Sequence, residues 1–351
     1  MCALTAGYGR AALPIAHCPP IRMATEKHIG RSVVKVVLPL ALGVFVFYWV
    51  YRDFDFPTAW RVLRNETDWW WMMLSLVFGV LSHVVRGLRW RQMLTPLGFN
   101  PRPSHCIDAI YISYAANIVL PRVGEVSRSG ILSHYDGVTF SKSLGTVVTE
   151  RLTDALCLLV IAALTVALQF PLFRTFLNET GTKIPSLAHL LCSPWFYVSL
   201  FSVLAAVGLV WWLLAVFKLS HRVRLILRNV FEGVMSLRRV SNLPLFLFYT
   251  VAMWLCYYLH FYLTFRCFVF TESLGVMAGL VMFVAGTFAV IVPTPNGAGP
   301  WHFAVITMMM LYGVAPTEAG VFALIVHAVQ TLLVIVLGLW GWGHVSFRGD
   351  P

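Results

Sequence analysis

The apolar positions of this chain fall into long, nearly uninterrupted runs, with few of the polar interruptions that a helix or strand half-facing water would show. A helix needs about 20 such residues to cross the roughly 30 Å hydrocarbon layer of a bilayer. Runs approaching or meeting that length cover residues 32–51, 69–85, 155–173, 194–217, 243–265, 273–292 and 319–342. They predict an all-α polytopic membrane protein with about seven spanning helices. Aromatic residues gather at several run ends (Tyr48, Trp49, Trp69 to Trp71, Trp195, Trp340 and Trp342), as expected at headgroup level.

Two further apolar runs, 109–120 and 303–314, hold 12 residues each, so as helices they reach only about 18 Å. Each abuts a Pro/Gly segment: Leu120-Pro121-Arg122-Val123-Gly124-Glu125 follows the first, and residues 293–300, rich in Pro and Gly, precede the second. Irregular backbone at membrane depth survives only inside protein or beside water. A matched pair of short, interrupted segments in two halves of a chain points to a transporter's central site. The pattern therefore predicts two short re-entrant helical segments and leaves an inverted repeat open. The plainer account is a pair of loops beside slightly short helices.

Composition agrees with the pattern. Of 351 residues, 59% are hydrophobic and 12% charged, with mean hydropathy +0.76. This excludes an ordinary soluble enzyme, a disordered chain and a nucleic-acid binder. The net charge of +11 is explained by topology. With the N-terminus inside, 20 of the 26 Lys and Arg residues fall in inner segments. That is the positive-inside bias; it puts both termini in the cytoplasm on the condition that the short runs set the parity so, and it leaves no nucleic-acid partner to invoke. The seven cysteines are scattered and form no metal spacing.

The expected organisation is an N-terminal tail over 1–31, a single membrane domain over 32–343 and a cytoplasmic tail over 344–351. The first 22 residues look unlike the rest, and Met23-Ala24-Thr25-Glu26-Lys27 reads as a natural start just before the first span.

Polar residues inside or beside the apolar runs are the candidate site. Arg86 and Arg89 are three apart and share a helix face, either as inner anchors or as a dock for phosphate headgroups. Asn117 lies within an apolar run. Arg122, Glu125 and Arg128 follow the Pro121/Gly124 break, a charge stripe that is costly near lipid unless it pairs. Glu150 and Asp154 are four apart near the expected start of the third long span and flank Arg151. The bland account is capping and pairing with Arg122 or Arg128; the sharper one is a gate for lipid phosphate. In the second half Asn296, Gly297, Gly299 and His302 form a polar break. His327 and Gln330 share a face, a pattern that most often ties helices together, and His260 gets the same reading.

The sequence has no phosphate loop, no H-E-x-x-H and no nucleophile elbow. No cofactor or metal is expected.

Asn117, Leu120-Pro121-Arg122, Gly124-Glu125 and Arg128, followed by Thr149-Glu150-Arg151 and Asp154, resemble the signature of the lysylphosphatidylglycerol synthase/flippase membrane-domain family. Residues 293–302 and the apolar stretch after them resemble its second signature. The resemblance covers roughly residues 34–342. It implies a polytopic protein of the bacterial cytoplasmic (inner) membrane, two re-entrant elements in inverted orientation, and anionic or aminoacylated phospholipid moved between leaflets. Synthases of this kind append an aminoacyl-transferase domain for which this sequence has no counterpart, so lysyl transfer is not carried over. The family loop also usually carries a carboxylate near the position of His302.

The leading expectation is thus a flippase-like translocase of membrane phospholipid, with Arg122, Arg128 and Arg151 binding phosphate and Glu125, Glu150 and Asp154 pairing with them when empty. The alternatives are a scaffold for a separate lipid-modifying enzyme, docked through the basic stretch 218–239, and a headgroup transferase using Glu125 or Asp154 as base. Homo-oligomers are compatible with all three.

Overall fold

The computed structural model describes residues 41–170, apart from Asp53 and Glu66, and 242–348, with scattered positions between 194 and 240. The N-terminal tail with Met23, the start of the first run, most of the run 194–217, most of the basic stretch 218–239 and the last three residues lie outside the described residues.

Helices account for almost all of what is described, and no strand occurs among the described residues. In chain order they are α1 (Ala41–Tyr51), α2 (Phe56–Asn65), α3 (Trp69–Leu94), α4 (Pro103–Val119), α5 (Val123–Tyr135), α6 (Phe140–Leu168), α7 (Leu243–Tyr262), α8 (Val276–Ala289), α9 (Pro300–Leu311) and α10 (Pro316–Arg348). Four described segments are long and apolar enough to cross a membrane: Trp69–Leu97, Phe140–Leu168, Leu243–Cys267 and Pro316–Phe347. The chain is an all-α polytopic membrane protein.

Helix starts follow local chemistry. Asp68 accepts the Trp70 N–H at 2.9 Å to begin α3, and Asn242 accepts the Leu245 N–H at 3.0 Å to begin α7. Proline opens α4 and α9, where its missing N–H costs nothing. On α6, Val148, Leu152, Leu156, Leu159, Val160 and Leu164 are exposed at helical spacing, an apolar face suited to lipid.

Two pairs of shorter helices fold back on themselves. α4 and α5 turn at Leu120–Pro121–Arg122, and α8 and α9 turn through residues 290–299. The run 273–292, expected as a spanning helix, is a correction. Its helix is only 14 residues long, because the pattern Val292-Pro293-Thr294-Pro295 removes backbone donors and turns the chain back. It is one arm of the second hairpin.

Each hairpin has its own packed core. Trp90, Leu94, Cys106, Ala109, Ile110, Leu132, Val138 and Val147 join the first hairpin to the ends of α3 and α6. Phe261, Phe265, Phe268, Met282, Val305, Met309 and Phe322 join the second to α7 and α10. α3 packs most extensively on α7, and α4 lies against both α3 and α10. Gly338 permits the last contact: a Cβ there would sit 2.3 Å from Ala115 Cβ.

Candidate functional site

Arg86 and Arg89 stand one turn apart on α3, and Glu150 and Asp154 one turn apart on α6. Each pair therefore faces one way, and the two pairs meet. Glu150 is fully buried and takes three guanidinium groups: Arg86 Nε at 2.6 Å and Arg89 Nη2 at 3.3 Å on Oε1, and Arg128 Nη1, from α5, at 2.7 Å on Oε2. Asp154 takes Arg86 Nη2 at 2.5 Å and Arg89 Nη2 at 2.7 Å. Arg86 Nη1 donates to the hydroxyls of Tyr114 (2.7 Å, α4) and Tyr257 (3.1 Å, α7), which are 2.8 Å from each other. Arg128 lies over the Trp90 ring at 4.8 Å, and Trp90 Nε1–H donates to Thr146 Oγ1 at 2.9 Å.

Five helices thus converge on three arginines and two carboxylates, an arrangement with one positive charge in excess. Burying charge is tolerable only when it is paired and hydrogen-bonded. Arg86 is saturated, but Nε and Nη1 of Arg89 and Nε and Nη2 of Arg128 have no acceptor among the described residues.

The expected partners are corrected in two respects, the helix position of Glu150 and Asp154 and the place of Arg122. Glu150 and Asp154 are not at a helix start: α6 begins at Phe140, so these carboxylates answer to arginines and not to the helix dipole. Arg151 pairs with Glu125 at 2.6 Å, outside the buried cluster. Arg122 joins neither group. It is exposed, makes no ion pair with a described residue, and sits at the hairpin turn with φ 68°. Tyr114, Tyr257 and Trp90 escaped the sequence reading, because a lone aromatic in an apolar run carries no mark of its partner.

The first turn is held by Asn117, whose Oδ1 accepts the Gly124 N–H at 2.8 Å. The second turn centres on Asn296, with φ 50°. Arg122 and Asn296 are the two non-glycine residues with positive φ among the described residues, and each stands at a hairpin turn. Asn296 Nδ2 donates to Thr331 Oγ1 at 2.7 Å, and His327 Nε2 lies 3.1 Å from the Asn296 carbonyl. Gly297 and Gly299, with φ 73° and 90°, complete this turn. The Gly299 N–H donates to His302 Nδ1 at 3.3 Å, so buried His302 acts as the cap of α9. Gln330 Nε2 lies 3.5 Å from the His260 carbonyl, and His260 Nδ1 2.8 Å from that of Ser75, so both tie helices together.

An open pocket of about 430 Å³ lies beside the second turn, against α10, and the end of α4 reaches it at Ile118. Ile118, Pro295, Asn296, Ala298, His327, Ala328, Thr331, Leu332 and Ile335 line it. The candidates therefore separate into a buried ionic cluster (Arg86, Arg89, Arg128, Glu150, Asp154), a half-exposed pair (Glu125, Arg151), and the two turns, of which the second lines the pocket.

No solved structure matches this chain. Among curated proteins, glycosyltransferase AglD of Haloferax volcanii is 26% identical over 136 residues, covering 38% of this chain. Those residues make up 20% of that protein, so the chain spans about a fifth of its relative's length. The family model described as the lysylphosphatidylglycerol synthase TM region matches residues 36–338, nearly the whole chain. This chain of buried arginine pairs and paired helical hairpins belongs to the lysylphosphatidylglycerol synthase transmembrane-region family.

Proposed function

We propose that the protein translocates an anionic or aminoacylated lipid between the leaflets of the bacterial cytoplasmic membrane. In this reading α4–α5 and α8–α9 are re-entrant hairpins entering from opposite sides. Counting α8 and α9 as one hairpin also returns the C-terminus to the cytoplasmic side, with the N-terminus. The observation that carries the proposal is the pair of polar residues held at positive φ, Arg122 and Asn296, at two hairpin turns, the second of which lines an open pocket that α4 reaches at Ile118. Positive φ costs a non-glycine residue about 1 kcal/mol, and such strain is kept where a site needs it. Arg122 offers a guanidinium that no carboxylate among the described residues occupies, and guanidinium matches phosphate bidentately. The buried cluster of Arg86, Arg89, Arg128, Glu150 and Asp154 acts as the fixed brace that carries the first hairpin.

The test is reconstitution into liposomes with a fluorescent anionic phospholipid and a membrane-impermeant quencher. Arg122→Gln is expected to slow leaflet exchange at least tenfold, and Arg122→Lys to retain more of it. Arg122→Gly should fail like Arg122→Gln, although glycine accepts the left-handed turn without strain. Unchanged exchange in the glycine variant would remove Arg122 from the mechanism.

The glycosyltransferase relative supports a second reading, in which the chain is the membrane partner of a separate lipid-modifying enzyme. A stoichiometric enzyme partner in a pull-down, with no leaflet exchange by the isolated protein, would favour it.

A further inference from the structure

We propose that Arg128 holds a small monovalent anion, of halide or formate size, inside the protein, and that this anion balances the charge of the buried cluster. The site is separate from the lipid-handling reading above and stands or falls without it.

Three observations carry it. The first is charge. Arg86, Arg89 and Arg128 meet Glu150 and Asp154, so one positive charge is left over, and four of these five residues are buried. A buried charge without its counter-charge is costly. Neighbouring carboxylates are engaged elsewhere: Asp108 with His344, Glu125 with Arg151 and Asp136 with His105. The acidic residues of the stretch 171–241 are Glu179 and Glu232, and Glu232 pairs with Lys142 at 3.0 Å.

The second is geometry. Arg128 reaches Glu150 through Nη1, at 2.7 Å. That leaves Nε and Nη2, the two groups on one edge of the guanidinium plane, whose N–H bonds run side by side as a fork. Both atoms are closed to solvent and have no acceptor among the described residues. Arg89 differs, because its unpaired Nε and Nη1 lie on different edges and cannot grip one atom together. The third is a further orphan. Ser143 Oγ, fully buried on α6, also has no partner among the described residues. Ser143, Thr146 and Glu150 share a helix face, Thr146 accepts from Trp90, and the Trp90 ring covers Arg128. The free hydroxyl therefore stands on the side of α6 that Arg128 faces. Buried donors left over in this way mark a bound water or ion, and an ion also removes the excess charge. Arg128 is 1% exposed, so its occupant is small; a lipid headgroup would have to part α5 from α6 to reach it.

The experiment is thermal unfolding of the full chain in lipid-free detergent micelles, with chloride exchanged for bulky gluconate at constant ionic strength, so that screening is unchanged. The protein is expected to melt about 5 °C higher in chloride, as mass action gives for an anion that binds the folded state at about a hundredfold above its Kd. Arg128→Met removes both the extra charge and the fork, and should melt equally in the two salts. Arg128→Lys keeps the charge without the fork, and should keep less than half of the difference. Crystals grown in bromide should show an anomalous peak within hydrogen-bond distance of Arg128 Nε and Nη2, a readout that needs no variant to fold. Equal melting of the unaltered protein in both salts would overturn the proposal, as would full chloride dependence in a folded Arg128→Met protein. A fork holding water, with no bromide peak, would overturn it too. Phosphatidylglycerol that replaces chloride in gluconate, and does so only while Arg128 is present, would make the occupant a lipid headgroup and equally overturn it.

Discussion

Glu150→Gln is expected to lower the melting temperature of the purified protein by about 10 °C. The single carboxylate of Glu150 contacts Arg86, Arg89 and Arg128, all buried. Removing its charge leaves Asp154 to answer three guanidinium groups. Breaking a buried ion pair on one side costs about 3–5 kcal/mol, and for a chain of this size each kcal/mol shifts the midpoint by about 2–4 °C. Thermal unfolding in micelles, followed by tryptophan fluorescence, measures this directly. Asp154→Asn should cost less, because its side chain is 12% exposed and Arg86 and Arg89 keep Glu150. Adding Arg128→Met to Glu150→Gln should recover part of the loss, since it removes one uncompensated charge and leaves an apolar side chain against Trp90. A melting shift of less than about 2 °C for Glu150→Gln would mean that water carries the charge of these arginines, and that the cluster does not brace the fold.

The second large effect concerns the first hairpin. A Cβ at Gly124 would lie 2.6 Å from Ser113 Oγ and 2.8 Å from the Ser113 carbonyl carbon, and closer still to its oxygen. Most of that neighbourhood is backbone, so Gly124→Ala must pry α5 from α4 and weaken the Gly124 N–H bond to Asn117. Overpacking costs about 1–3 kcal/mol where side chains can yield, and here the neighbour is mostly backbone. The variant is expected to unfold at lower temperature and to lose leaflet exchange. Gly130, on the same helix, is the control: nothing lies within 4 Å of its would-be Cβ, so Gly130→Ala should be neutral or slightly stabilising. Melting curves of the two variants, measured side by side, decide the matter. Equal behaviour would mean that the hairpin does not pack as closely as its geometry implies.

These two substitutions also mark what was legible in the residues. The break at Pro121 and Gly124 announces a turn, because proline lacks a donor and glycine clears space. The spacing of Arg86 and Arg89, and of Glu150 and Asp154, announces shared faces, because 3.6 residues make one turn. The partner of each charge could not be read. Arg122 and Arg128 are six residues, about one and two-thirds turns, apart and equally able to face Glu150 on paper. The reversal at Arg122 places one on the packed side of α5 and the other at the exposed turn. The family-like position of His302 behaves in the same way: its spacing after Gly299 was visible, but its capping of α9 depends on the φ of 90° at Gly299. The run 273–292 misled because apolarity alone does not distinguish a helix that crosses from one that turns back.

By itself, then, the order of residues determined the membrane class, most of the helices, and the positions at which the chain must break. Those are consequences of transfer free energy and backbone sterics, which act over a few residues at a time. Tertiary structure decided which arginines share Glu150, that Tyr114 and Tyr257 join them, that Arg122 stands outside the ion pairs of the described residues, and that the second turn and α10 share one pocket. Such contacts join residues up to about two hundred positions apart, and their geometry is set by how helices pack, which no local pattern encodes.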